Sequence, residues 1–286
     1  MNSQEIIKLN FNQTNLVSNG LNNFMQFQAP NGSYDLRNYV MCLKSINIPY
    51  SFPSFKTASY FQYRWIDGTL YPVAIPANTT WEIADLNGLM ESVMITNGHY
   101  LINGSGNYVF YAQMVANANY YTTTLQFTPF PTALPVGWQN PASISFPVAQ
   151  TYLQLLFTPQ DIQTILGFTN AGPYPASQTP ATTLYAVNSQ VAPQVSPYSS
   201  IQIWCDCLSS VDNNTPKLLD TFPIDVSYGQ AIIYEPKFPS WVYCNNSATY
   251  AQINVYLLDQ YGNPLTVLDP SWSIQILLKK IGSSGA

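Results

Sequence analysis

The sequence predicts a mainly β protein: one sandwich contributed by both ends of the chain, interrupted by a β/α insertion. Three observations lead there. Apolar and polar residues alternate with period two through much of the C-terminal third, turn residues punctuate short apolar runs throughout, and only two segments carry helix-start signals.

Taken in order, Met1–Asn22 is polar and Asn-rich around Ile6-Ile7-Lys8-Leu9-Asn10-Phe11, which suits either an N-terminal arm or an edge strand. Phe24–Gln28, Tyr39–Ile48 and Tyr60–Trp65 follow as strand-like runs. Thr79-Thr80-Trp81-Glu82 then reads as a capping box, after which Ile83, Leu86, Met90 and Val93 share one helical face. Thr158-Pro159-Gln160-Asp161 predicts a second, shorter helix with Thr158 as N-cap, ending at Gly167. Strand-like runs at Asn107–Val115, Tyr120–Phe127 and Tyr152–Phe157 accompany these helices, and Gly172–Pro197 reads as an extended connection. In the last third, Ile201, Ile203, Cys205 and Cys207 share one face, as do Ala251, Ile253, Val255 and Leu257. Trp272, Ile274, Ile276 and Leu278 form the inward face of the closing strand. The expected division is therefore an arm or edge strand at 1–22, a sandwich from 23–69 and 199–281, an insertion at 70–198 and a tail at 282–286.

Composition narrows the function. Charged residues are 8% of the chain, about a third of the usual share, and 21 Tyr and 22 Pro stand with amides and hydroxyls in their place. Surfaces of this kind pack well against one another, which predicts an assembly as the working state. The net charge is −5, with the basic residues scattered and only Lys279-Lys280 adjacent, so no nucleic-acid partner is expected. Met1 is followed by Asn-Ser-Gln-Glu-Ile-Ile-Lys, with no signal-peptide pattern, and no apolar run approaches about 18 residues; cytosolic synthesis and no membrane span are expected. The Asn-x-Ser/Thr triplets at Asn12, Asn31, Asn78, Asn103, Asn213 and Asn245 are accordingly read as products of composition, and the four Cys as reduced thiols.

Residues able to carry chemistry are few. His99 is the one imidazole and lies in the turn Thr96-Asn97-Gly98-His99-Tyr100, where it reads as a bystander rather than a catalytic base. Cys205, Cys207 and Cys244 do not show the loop spacing of a zinc knuckle, and Cys42 falls in phase with Val40 and Ile46, so all four are expected as buried thiols. No phosphate-binding loop, dinucleotide turn or calcium loop is present. These readings predict a protein that is not an enzyme and uses no cofactor or metal. Tyr120, Tyr121, Trp138 and Tyr174, all in the insertion, are the candidates for surface recognition, with core packing as the alternative for each.

Several motifs resemble one known group. They are Ser199-Ser-Ile-Gln-Ile-Trp-Cys-Asp-Cys-Leu208, Tyr234-Glu-Pro-Lys-Phe-Pro-Ser-Trp241, Ile253-Asn-Val-Tyr-Leu-Leu-Asp-Gln-Tyr-Gly-Asn-Pro-Leu265 and Ser271-Trp-Ser-Ile-Gln-Ile-Leu-Leu278, joined by Ile75–Asn87 and Leu155–Phe168. Together they are similar to the penton proteins of virophages and of Polinton or adintovirus-like viruses. The resemblance implies a single jelly roll, a minor capsid protein that forms homopentamers at the vertices of a virion and contacts a double-jelly-roll major capsid protein. Members of that group can carry an insertion at the outer surface, so the resemblance leaves room for a host receptor as a partner of the insertion, without saying which loops face outward. The other reading of the residues is a jelly-roll module that binds carbohydrate or a receptor.

Overall fold

The computed structural model describes residues 6–30, 32–179, 181–209, 217–245 and 249–281. The tail at 282–286, the triplet positions Asn31 and Asn213, and the carboxylates Glu5 and Asp212 lie outside them. The chain opens with β1 (Ile6–Phe11), β2 (Phe24–Gln28), the short β3 (Tyr34–Asp35) and β4 (Tyr39–Pro49). It then runs through β5 (Ser59–Arg64), β6 (Leu70–Ile75), α1 (Ile83–Thr96), β7 (Leu101–Ile102), β8 (Tyr108–Val109), β9 (Ala112–Asn117), β10 (Thr122–Phe127), β11 (Gln154–Leu156), α2 (Gln160–Leu166) and β12 (Tyr185–Asn188). The last part holds β13 (Ser200–Cys205), β14 (Leu218–Pro223), β15 (Ala231–Tyr234), β16 (Val242–Tyr243), β17 (Thr249–Tyr250), β18 (Gln252–Asp259) and β19 (Ser273–Lys280).

Two compact units result, one from the described residues up to Pro53 and from Tyr198 onward, the other from Ser54–Pro197. In the first, one sheet has the order β1-β19-β4-β15, with β16 paired to the start of β4, and a second has the order β14-β13-β18-β2. Lettering the eight long strands B to I along the chain gives the orders B-I-D-G and F-E-H-C. Apart from E and F, which pair with each other in the second sheet, consecutive strands thus alternate between antiparallel sheets, and B and I meet in one of them. This is the strand order of a jelly roll.

The pairing follows from the pleat, which turns successive side chains to opposite faces. Ile253, Val255 and Leu257 of β18, Ile201, Ile203 and Cys205 of β13, and Ile274, Ile276 and Leu278 of β19 all enter the same core. Cys207 joins them from a turn beyond β13 rather than from the strand. Trp272 precedes β19, is buried, and donates its indole N–H to Asn22 O at 2.8 Å. Leu9 and Phe11 of β1 are buried in register with Ile276 and Ile274, so the N-terminal segment forms the edge-strand alternative of the two expected. Two expectations of phase fail. Ala251 precedes β18 and is exposed. Cys42 is buried, but outside this core: Met41 and Leu43 point inward, and a register shift at Gln275/Ile276 returns Ile46 to the inward phase. That irregularity breaks the alternation on which Cys42 and Ile46 were expected to agree.

The second unit has its own core and two three-stranded sheets, β11-β5-β6 and β12-β10-β9. Its boundary lies earlier than the expected Leu70, because β5 pairs with β6 and β11 and buries Phe61 and Tyr63 there. Alternation marks β5 as a strand without saying which sheet it joins. Pro72 sits in β6, an edge strand, where its missing N–H removes no ladder bond to an outer neighbour. The stretch Gly172–Pro197, expected to be irregular throughout, contributes β12, which pairs with β10. Helix α1 starts three residues later than the Thr79 cap predicts. Its N-cap is Glu82, whose N–H donates to the Asp85 carboxylate at 3.1 Å, while the Thr79 hydroxyl donates to Pro76 O. Ile83, Leu86, Met90 and Met94 form its buried face, with Val93 only half-buried. Pro159, not Thr158, is the N-cap of α2, and Gly167 ends it at φ 81°.

Strand phase is testable at β19. Ile276→Ala removes a fully buried side chain and is expected to cost about 2–5 kcal/mol, whereas Gln275→Ala, half-buried on the opposite face, is expected to change the unfolding midpoint little. Denaturant titration of both variants checks the assignment, and a larger loss for Gln275→Ala reverses it.

Candidate functional site

The most structured polar site lies in the second unit, around His99. Helix α1 ends there in a left-handed turn: Gly98 adopts φ 72°, its N–H donates to Ile95 O, and the His99 N–H reaches back to Met94 O. That turn drives the imidazole inward, where alternating residues of β5 and β6 meet it. Its ring stacks on Trp65 at 4.1 Å and meets Tyr71 and Tyr63 edge-on at 4.5 and 5.7 Å. Nδ1 lies 2.8 Å from the Tyr63 hydroxyl. Burial disfavours the imidazolium and pulls the His99 pKa down to about 4, against a smaller upward pull from Asp67. The Tyr63 phenol is pushed well up by the same burial. His99 is therefore a buried, neutral ring in an aromatic cage, where the turn sequence suggested an idle loop residue.

Beside it opens a groove of about 460 Å³ lined by Trp65, Asp67, Asn97, His99, Ala142 and Ser145, among others. Ligand sites typically span about 300–1,000 Å³. One His and one carboxylate on its wall do not make an acid–base or metal centre by themselves.

The thiols form a second cluster, in the jelly roll. Cys205, Cys207 and Cys244 are buried, with the Cys205 and Cys207 sulfurs 3.3 Å apart. Potential ligand atoms of Cys205, Asp206 and Cys207 lie within 4.8 Å of one another. The Asp206 carboxylate is already engaged, however, accepting the Asn254 N–H at 3.0 Å and its side-chain amide at 2.7 Å. Contacts with Cys205 and Cys244, together with burial, push the Cys207 thiol well up. In the metal-free chain this environment favours the thiol form.

The recognition candidates separate. Tyr120 and Tyr121 are 72% and 78% exposed in the turn between β9 and β10. Trp138 is half-buried against the core of the second unit. Tyr174 is buried among Phe157 and Phe168, with its hydroxyl donating to Asn170 Oδ1 at 2.6 Å, so its role is packing and not surface contact. Sequence reasoning passed over the apolar patch that follows β15. Ile233 and Phe238 are 73% and 88% exposed there; Tyr243, exposed as well, pairs with the opposite end of β4, and Lys279 lies 5.6 Å over the Trp241 ring. Their signal was an aromatic loop, Phe238-Pro-Ser-Trp241, too short to carry a period.

Among the solved structures to which this chain is similar are two virus proteins. One is the mavirus penton protein, at 12% identity and TM-score 0.46, covering 97% of this chain and 100% of that one. The other is a chain of the Sputnik virophage, at 10% identity and TM-score 0.45, covering 97% of this chain and 98% of that one. No protein-family profile matches the sequence, and no curated protein matches it.

A buried neutral imidazole links stability to pH. The unfolded chain takes up a proton near pH 6.5 and the folded chain only near pH 4, so stability falls as pH drops through that window and levels off below it. Between pH 7 and pH 5 the loss from this group is expected to reach about 2 kcal/mol. His99→Phe should remove that part of the slope in urea titrations at the two pH values; an unchanged slope means that the ring titrates normally.

Proposed function

We propose that this chain is a structural protein of a viral capsid, assembling into homopentamers at the vertices of the virion beside a double-jelly-roll major capsid protein. The observation that carries the reading is the B-I-D-G and F-E-H-C strand order bearing a large insertion between D and E. Jelly rolls of this order build capsids, lectins and cupins. The motif resemblance favours the first, and the charge-poor exterior suits a subunit that is covered by neighbours.

A ring forms when one patch of each copy meets a different patch of the next through a fixed rotation. The exposed Ile233 and Phe238, which border one shallow groove beside β15, supply one such surface. It is aromatic, exposed and attached to the edge strand β15, features that mark a contact site more often than a bare monomer surface. The exposed Tyr120-Tyr121 tip favours a second reading, a receptor-binding module, with the same residues as its contact. No chemical step is assigned to the chain: a structural role needs none.

Native mass spectrometry at rising protein concentration distinguishes the readings. A species of five subunits is expected, and Phe238→Asp should abolish it while leaving the subunit's melting temperature nearly unchanged, since that side chain is 88% exposed. A trimer favours the receptor-binding spike, and a monomer at every concentration contradicts assembly.

A further inference from the structure

We propose that the His99 groove binds an uncharged, hydroxyl-rich molecule of monosaccharide size. Its polar groups have capacity that the protein does not use. Nδ1 of His99 is taken by Tyr63, whereas Nε2 meets no hydrogen-bond partner among the described residues. Oδ1 of Asp67 accepts the Thr69 N–H at 2.8 Å, leaving Oδ2 for a ligand. The Asn97 side-chain amide donates to Val93 O at 2.8 Å and lies 3.5 Å from the Tyr63 hydroxyl, while its carbonyl oxygen and the Ser145 hydroxyl, also on the groove wall, have no hydrogen-bond partner among the described residues.

The ligand class follows from that inventory. A carboxylate, an amide oxygen, a hydroxyl and a neutral imidazole call for a partner bringing several hydroxyl donors. Ile66, Ala142, Ile144 and Pro147 offer apolar contact for the C–H face of a sugar ring. Neither Lys nor Arg lines the groove, which disfavours anions. A metal would find one nitrogen and one carboxylate, fewer donors than a cation site uses.

The walls are also held before any ligand arrives. Ile102 and Gln139 exchange backbone hydrogen bonds at 3.0 and 2.8 Å, and the Asn140 side chain clamps both the N–H and the C=O of Ile144 at 2.8 Å. Gly98 packs so closely that a Cβ there would come within 2.7 Å of Ala142 Cβ. A groove fixed in this way loses little freedom on binding. The proposal goes beyond the capsid reading and does not depend on it, because a chain that fails to form rings still presents the groove.

His99 is the one histidine, so histidine-labelled full-length chain gives a single imidazole signal that reports on this site alone. Titration with neutral methyl glycosides of glucose, galactose, mannose, fucose and N-acetylglucosamine, each to about 50 mM, is expected to shift that signal saturably for at least one sugar. Asp67→Asn and Ser145→Ala, both at exposed positions, should weaken the response at least about fivefold without altering the melting temperature. No shift with any sugar overturns the proposal, as does a shift that survives both substitutions, or a shift produced by zinc ions alone.

Discussion

The structure depends on where its last strand lies. β19 sits between β1 and β4, paired along Ile6–Phe11 on one side and along Tyr39–Asn47 on the other. A sheet that pairs β1 with β19 cannot close until both segments are present, and contacts so distant in sequence make folding slow. The long insertion is compatible with this because it leaves and returns at one place: the Tyr198 hydroxyl donates to Pro53 O at 3.3 Å. Loop closure costs grow only slowly with length, and 54–197 carries its own core.

Under the capsid role proposed above, that division assigns the two units different tasks. The jelly roll supplies edges and exposed aromatic loops such as Phe238 and Trp241, the material of a repeated contact between copies. The inserted unit holds the buried imidazole, the groove and the Tyr120-Tyr121 tip, features that serve recognition better than assembly. Scarcity of charge serves both, since an amide and hydroxyl surface is desolvated at less cost than a charged one.

Much of the fold was legible because period two is a local signal. Ile253, Val255, Leu257, Ile274, Ile276 and Leu278 point as their alternation predicts, and Trp272 is buried beside them. Partner choice is not local, so Tyr60–Trp65 was expected in the sandwich and lies in the insertion. Irregularities also escape a pattern: the register shift opposite β4 moved Cys42 out of phase with Ile46. At the candidate site, His99 read as an idle turn residue, because the cage that neutralises it comes from Tyr63, Trp65 and Tyr71, some thirty residues upstream. Tyr174 took the core-packing alternative, packed against Phe168, which its place in the insertion could not decide.

Native-state hydrogen exchange on the intact chain tests most directly whether both chain ends close one sheet. The account predicts that the β1 amides facing β19, the β19 amides facing β4 and those of central β4 exchange through one shared opening. Their protection should be equal although β1 and β19 stand at opposite ends of the sequence. Exchange of β1 orders of magnitude faster than that of β19 would contradict it, making Ile6–Phe11 a loosely held arm and leaving the jelly roll without its outermost strand.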